Sequence, residues 1–140
     1  MNTELKEINT KLPEFRGSNW LIRIPLAIVF IQQGLSKIPF DSSTAEAYGL
    51  SSFIWFLVIT SELVAGFGLL SGGILRTLGF FNLIGDFLTR FSGTIMVGII
   101  TGVIIKSNPD SFLDVVLYDH IHLMLYCGGL FFALRGNREK

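Results

Sequence analysis

The chain has 140 residues, half of them hydrophobic, with 13 phenylalanines, 16% charged residues and zero net charge; its mean hydropathy is +0.56. Soluble domains carry about 25% charged residues, and without a basic or acidic tail, or a Lys/Arg patch interleaved with aromatics, nothing suits the chain to nucleic acid. A single cysteine, Cys127, excludes an internal disulfide, a CxxC redox pair and a cysteine-held iron–sulfur cluster within the chain.

Residues 1–18 are polar and mixed in charge (Glu4, Lys6, Glu7, Lys11, Glu14, Arg16). They lack the form of a signal peptide, so the first apolar stretch is expected to stay in the mature protein. A spanning helix needs about 20 mostly apolar residues, and the spacing predicts four such helices: 19–38, 52–70, 75–105 and 117–134. The first begins behind a Ser18 cap and ends before Pro39, with Pro25 bending it mildly or sitting in a first turn. The second takes Ser51 or Ser52 as its cap and Gly72-Gly73 as its stop. The third exceeds what a bilayer needs and is expected to tilt or protrude; Asn108-Pro109 ends the connection after it, and the fourth stops at Gly136. The expected fold is all-α, an integral membrane four-helix bundle followed by a short tail, 135–140. The alternative, a buried soluble bundle, is disfavoured because no segment has a broad polar face.

Basic residues orient the bundle. The side with both termini and the connection between helices two and three carries Lys6, Lys11, Arg16, Arg23, Arg76, Arg135, Arg138 and Lys140. The opposite loops carry only Lys37 and Lys106 beside Asp41, Glu46, Asp110, Asp114 and Asp119. The positive-inside rule places both termini in the cytoplasm. Gly68/Gly72 and Gly98/Gly102 are small-xxx-small pairs, and Gly85, Thr89, Gly93 and Val97 form a mostly small stripe; both allow close helix approach.

At about 1.5 Å per residue, Gln32 and Gln33 lie roughly 20 Å into the first helix, Glu62 near mid-membrane, and Asp86 and Arg90 near the middle of the third helix. His120 and His122 fall in the first turns of the fourth helix, pointing about 200° apart. Gln33, Lys37, Glu62, Asp86, Arg90 and His122 are therefore expected to converge in the outer half of the bundle. Each has a plainer reading. Asp86 and Arg90 can pair with each other at i,i+4. Glu62 can be a protonated carboxyl bonded to a neighbouring helix, and Lys37 can snorkel to the headgroups. His122, with Tyr118, Tyr126 and Asp119 nearby, is the better pocket candidate of the two histidines, or it is an interface residue without special role. Cys127 reads as a small core residue.

Two histidines on one helix cannot form a bis-histidine haem site, a zinc site lacks ligands, and no dinucleotide, phosphate-loop or nucleophile-elbow motif is present. No metal is expected. What remains is a cavity of acids, an arginine and an imidazole, which suits a quinone headgroup: a carboxyl or imidazole takes the proton, and arginine steadies the oxyanion. On this reading Glu62, Asp86, Arg90 and His122 are the catalytic candidates, and Gln33, Lys37, Arg90 and His122 the quinone-binding ones.

Arg23 followed by LAIVFIQQGLSKI, with Gly34 and Lys37 as a Gly-x-x-Lys signature, resembles the opening of the DoxX family; SELVAGFGLLSGGILRTLGF, with Glu62 and Arg76, is similar to its second helix and following turn. The resemblance implies a four-helix protein of the bacterial inner membrane, associated with quinol oxidase or thiosulfate:quinone oxidoreductase subunits or partnering soluble redox proteins. The Asp86/Arg90 pair is not part of the resembled pattern. Three functions stay open: a redox-complex subunit binding a quinone or a small anionic sulfur compound, a non-catalytic anchor or scaffold, and a small proton or solute transporter acting as an oligomer. Lipid is the expected surround, with a homodimer and a redox partner subunit as further associations.

Overall fold

A computed structural model describes residues 17–79 and 81–138. Most of the polar segment expected over 1–18, Phe80 and the last two residues of the tail lie outside the described residues. Within them the chain is all-helical: α1 (Ser18–Ser36), α2 (Ser42–Ala47), α3 (Ser52–Thr77), α4 (Asn82–Ser107), α5 (Phe112–Tyr118) and α6 (His120–Arg135). By length and composition α3 and α4 can each cross a membrane, and α5 with α6, bent by 100° at Asp119, can form a third, broken span.

The turn between α3 and α4 is displaced from its expected place. Gly72 and Gly73 lie inside α3, which runs on to Thr77. The chain reverses instead at Gly79 (φ 72°) and Phe81 (φ 55°), both left-handed, and the Gly79 N–H closes the helix end on the Arg76 carbonyl at 2.9 Å. Gly72 and Gly73 are used for contact. A Cβ on Gly72 would stand 2.7 Å from the Gly85 carbonyl oxygen, and one on Gly73 would stand 2.8 Å from Arg23 Cδ. In an apolar helix a glycine pair reads as close approach more readily than as a stop. Ser18, the expected cap of α1, is already helical; the preceding Gly17 is the N-cap and makes no side-chain bond.

The contacts make neighbouring helices antiparallel. Residues near 20–23 of α1 meet Gly73 of α3, while Gly34 meets Ile59 and Leu63. Gly72 meets Gly85 and Thr89 of α4, while Gly68 meets Ser92. Gly93 meets Gly129 and Ala133 of α6. The long helices thus lie in the order α1, α3, α4, α6, and α1 touches α6 lightly, where Leu26 packs on Gly128 and the Arg23 guanidinium lies 4.6 Å from the centre of the Phe132 ring. Gly98 and Gly102 meet nothing within 4 Å, so that pair is outside the packing.

The core is thin and made of interlocked residues: Leu26, Ala27, Phe30, Ala65, Leu69, Met96, Ile100 and Phe132. Phe53, Phe56, Phe67 and Phe87 are more than half exposed. An apolar coat of that kind faces lipid, where the backbone bonds are already satisfied within each helix. At the other end, Asp41 caps α2, accepting from the Ser43 N–H at 3.0 Å; bonds from the Ser43 hydroxyl and backbone hold its carboxyl below the usual range. Ser51 caps α3, accepting from the Ile54 N–H at 3.3 Å, as the sequence led one to expect. The short α2 lays Ala45 over Trp55 and Ile59.

Candidate polar sites within the bundle

The later start of α4 changes the depths. Glu62 remains well inside α3, about 15 Å from its first residue, whereas Asp86 and Arg90 lie only about 6 and 12 Å into α4. The residues expected to share one cavity therefore fall into separate groups, at opposite ends of the bundle.

The first group sits where α1 ends. Lys37, the C-cap of α1, donates to both Glu62 carboxylate oxygens at 2.9 Å, to the Gln33 carbonyl at 2.9 Å and to Gln33 Oε1 at 3.4 Å. The Lys37 and Glu62 side chains are 17% and 7% exposed, so the pair is largely shielded. The Lys37 ammonium also lies 5.9 Å from the centre of the Trp55 ring, and Tyr48 stacks on that ring at 5.1 Å. Trp55 is buried, yet its indole Nε1 has no hydrogen-bond partner. Spacing explains the arrangement: Trp55, Ile59 and Glu62 recur at i, i+4 and i+7 and share one face of α3. The sequence reading missed Trp55 because nothing in an aromatic-rich apolar stretch distinguishes it from its lipid-facing neighbours.

The second group ties the helices together at the terminal end. Arg23, 2% exposed, donates to the Leu69 carbonyl (2.5 Å), to Thr89 Oγ1 (3.1 Å) and to Asn137 Oδ1 (2.5 Å). Thr89 donates to the same Asn137 oxygen at 2.9 Å, and the Asn137 amide donates to the Gly72 carbonyl at 2.8 Å. Asp86 accepts from the Asn137 backbone N–H at 2.7 Å and from Arg90 Nε at 2.8 Å. The rest of the Arg90 guanidinium is spent on the carbonyls of Ala133, Leu134 and Arg135, the unpaired acceptors that end α6. Asp86 and Arg90 do pair at i,i+4, and together they clamp the α6 terminus. Asn137 was missed because it lies past Gly136, where the sequence reads as tail. Arg23 stands out in the sequence as a basic residue of the terminal side and as the start of the resembled motif, neither of which marks it as the buried donor that joins three helices.

The third group is local. His122 Nδ1 lies 2.6 Å from Asp119 Oδ1, and Asp119 also caps α6 through the His122 N–H at 3.5 Å. His120 is exposed and His122 half-buried. Cys127 is exposed, which corrects its expected place in the core: α6 turns Gly128, Gly129 and Phe132 inward instead. Among the described residues, no three of His, Cys, Asp and Glu gather where they could hold a metal ion.

No curated protein and no solved structure matches the chain significantly. The family model DoxX matches residues 19–107, more than half of the chain, from the start of α1 through the end of α4. That span contains the Lys37–Glu62 pair, Trp55, the buried Arg23 and the Asp86–Arg90 clamp, and its α3 and α4 are apolar helices of membrane-crossing length; the chain belongs to the DoxX family.

Proposed function

We propose that this DoxX-type membrane protein is a multi-pass inner-membrane subunit of a redox complex, and that its quinone-handling site is the Lys37–Glu62 pair. Four crossings, by α1, α3, α4 and the α5–α6 pair, put both termini in the cytoplasm and the pair in the outer half of the bilayer. The observation that carries this reading is the unpartnered, buried Trp55 N–H beside a shielded ion pair. An orphaned buried donor costs about 1–3 kcal/mol, and a carbonyl oxygen arriving there would relieve it.

A quinone headgroup meets these requirements. Its ring is apolar, and its oxygens accept hydrogen bonds. Trp55 Nε1–H and the Lys37 ammonium can each donate to one, and the exposed Gln33 side chain lies beside Lys37. Reduction of a quinone by two electrons takes up two protons; Glu62 is placed to deliver or relay them, with Lys37 balancing its charge between transfers. The electrons come from a redox partner protein. A small anionic sulfur compound fits less well, because Glu62 already matches the Lys37 charge. Asp86 and Arg90 serve as positioning residues that hold α6 in place, and His122 with Asp119 is a secondary proton exchanger at the outer surface.

Quinone reduction by membranes with and without the protein tests this. Glu62→Gln and Lys37→Gln should lower the protein-dependent rate about 10²-fold or more, the range for a lost proton-transfer group. Arg90→Ala should lower it only as far as it lowers the amount of folded protein. Unchanged rates in both site variants would remove the assignment and leave an anchoring role.

A further inference from the structure

We propose that the outward face of α1 is a pairing surface for a second copy of this chain, with Gln32 as its polar contact. α1 has two faces. Arg23, Leu26, Phe30 and Gly34 turn into the bundle. On the other side Leu21, Pro25, Ile28, Gln32 and Leu35 are exposed, and they follow one another at alternating intervals of four and three residues. That is the spacing of a seam along which two helices wind together. The seam is apolar except for Gln32. Beside it a groove of about 550 Å³, lined also by Ile28, Ile31, Leu35 and Ser36, stands open to receive side chains.

The depth of Gln32 follows from its neighbours. Gly66 of α3 faces Ile31 and the Ala27 carbonyl of α1. Gly66 lies about 21 Å into α3, whose 26 residues span about 39 Å, so Gln32 stands near the mid-height of that helix. On the reading of α1 and α3 as crossings, on which this inference rests, Gln32 meets hydrocarbon, and hydrocarbon offers an amide no partner. Nothing in the inference depends on quinone binding. The neighbouring Gln33 is engaged by Lys37 at 3.4 Å, whereas the Gln32 amide has no hydrogen-bond partner among the described residues. The threonines on the outward faces of α3 and α4 are satisfied within their own helices. Thr60 donates to the Phe56 carbonyl, Thr94 to that of Arg90 and Thr101 to that of Val97, at 2.7 to 2.9 Å. A similarly spaced seam on α4, through Phe91, Thr94, Gly98 and Thr101, therefore leaves no side chain to be bonded.

Symmetry selects a second copy as the occupant. Two copies inserted in the same sense, with a two-fold axis along the seam, bring each seam residue to its counterpart at equal depth. An amide carries both donors and an acceptor, so Gln32 and the partner's Gln32 satisfy each other reciprocally. A helix of another protein would do so only by carrying a polar side chain at that same depth. One polar residue in an apolar seam also fixes the register of the pair.

The test uses the full chain in phosphatidylcholine vesicles, on a Cys127→Ser background. Under mild oxidation Ile28→Cys and Leu35→Cys should each give a disulfide-linked dimer, and Gly98→Cys on α4 should not. Energy transfer between copies labelled at an added C-terminal cysteine should fall as lipid dilutes them. Gln32→Leu should raise the dissociation constant read from that titration about tenfold, the range for lost interhelical hydrogen bonds, and Gln32→Asn should recover most of the loss. A water-soluble maleimide should leave Gln32→Cys unlabelled; ready labelling would overturn the proposal together with the crossing it rests on. With Gln32→Cys shielded, three results would overturn the pairing alone: no cross-link at Ile28→Cys or Leu35→Cys, a cross-link at Gly98→Cys instead, or an unchanged dissociation constant in Gln32→Leu.

Discussion

Glu62 and Lys37 depend on each other. Each ion, withdrawn from water, loses several kcal/mol of hydration, and only its partner and the surrounding hydrogen bonds offset that loss. Lys37→Met should therefore destabilise the folded bundle by about 3–5 kcal/mol by stranding Glu62, whereas Lys37→Met with Glu62→Leu should recover most of that loss. Unfolding in detergent measures both; a double variant no better than the single one would contradict the coupling. Arg23→Met should cost a similar amount, about 3–5 kcal/mol, because Thr89, Asn137 and the Leu69 carbonyl would lose their common donor. The sequence made Lys37 and Glu62 visible as isolated charges in apolar stretches. It could not show rotation about the helix axes, so Trp55 passed for one more lipid-facing aromatic. Asp86 and Arg90 were visible for the same reason, yet their depth was misjudged because no polar break marks the turn after Thr77.

At the scale of helices, the glycines divide by what faces them. Gly72 is pressed against Gly85 and Thr89 of α4, while Gly98 faces open space. Gly72→Ala should destabilise by about 1–3 kcal/mol through overpacking, and Gly98→Ala should change stability by less than about 0.5 kcal/mol, both read from unfolding midpoints. Equal effects would contradict the packing order α1, α3, α4, α6. Gly136 combines φ 62° with the Asp86–Arg90 pair directly at its Cβ position, so Gly136→Ala should loosen the α6 terminus; faster amide exchange at residues 133–137 than in the parent would show it. The helical type of the long segments was legible from apolar run lengths, whereas the short α2 and the break at Asp119 between α5 and α6 were not. The Gly72-Gly73 stop was not, because the same dipeptide serves a helix end in water and a helix contact in lipid.

The whole molecule places two polar centres at opposite ends of an apolar coat. One is a shielded ion pair beside an unpartnered indole donor; the other is an arginine-rich lock joining both ends of the chain's bundle. Such a layout keeps the proposed quinone site at one end of the bundle, away from the arginine lock at the other. The central claim concerns the first centre, and Trp55 reports on it directly. The chain has two tryptophans, so Trp20→Phe leaves Trp55 as the sole indole emitter. Titrating that variant with a short-chain quinone should quench its fluorescence saturably, and Glu62→Gln or Lys37→Gln on the same background should abolish the saturable part. Quenching that grows linearly with quinone, or that saturates identically in those variants, would contradict the account.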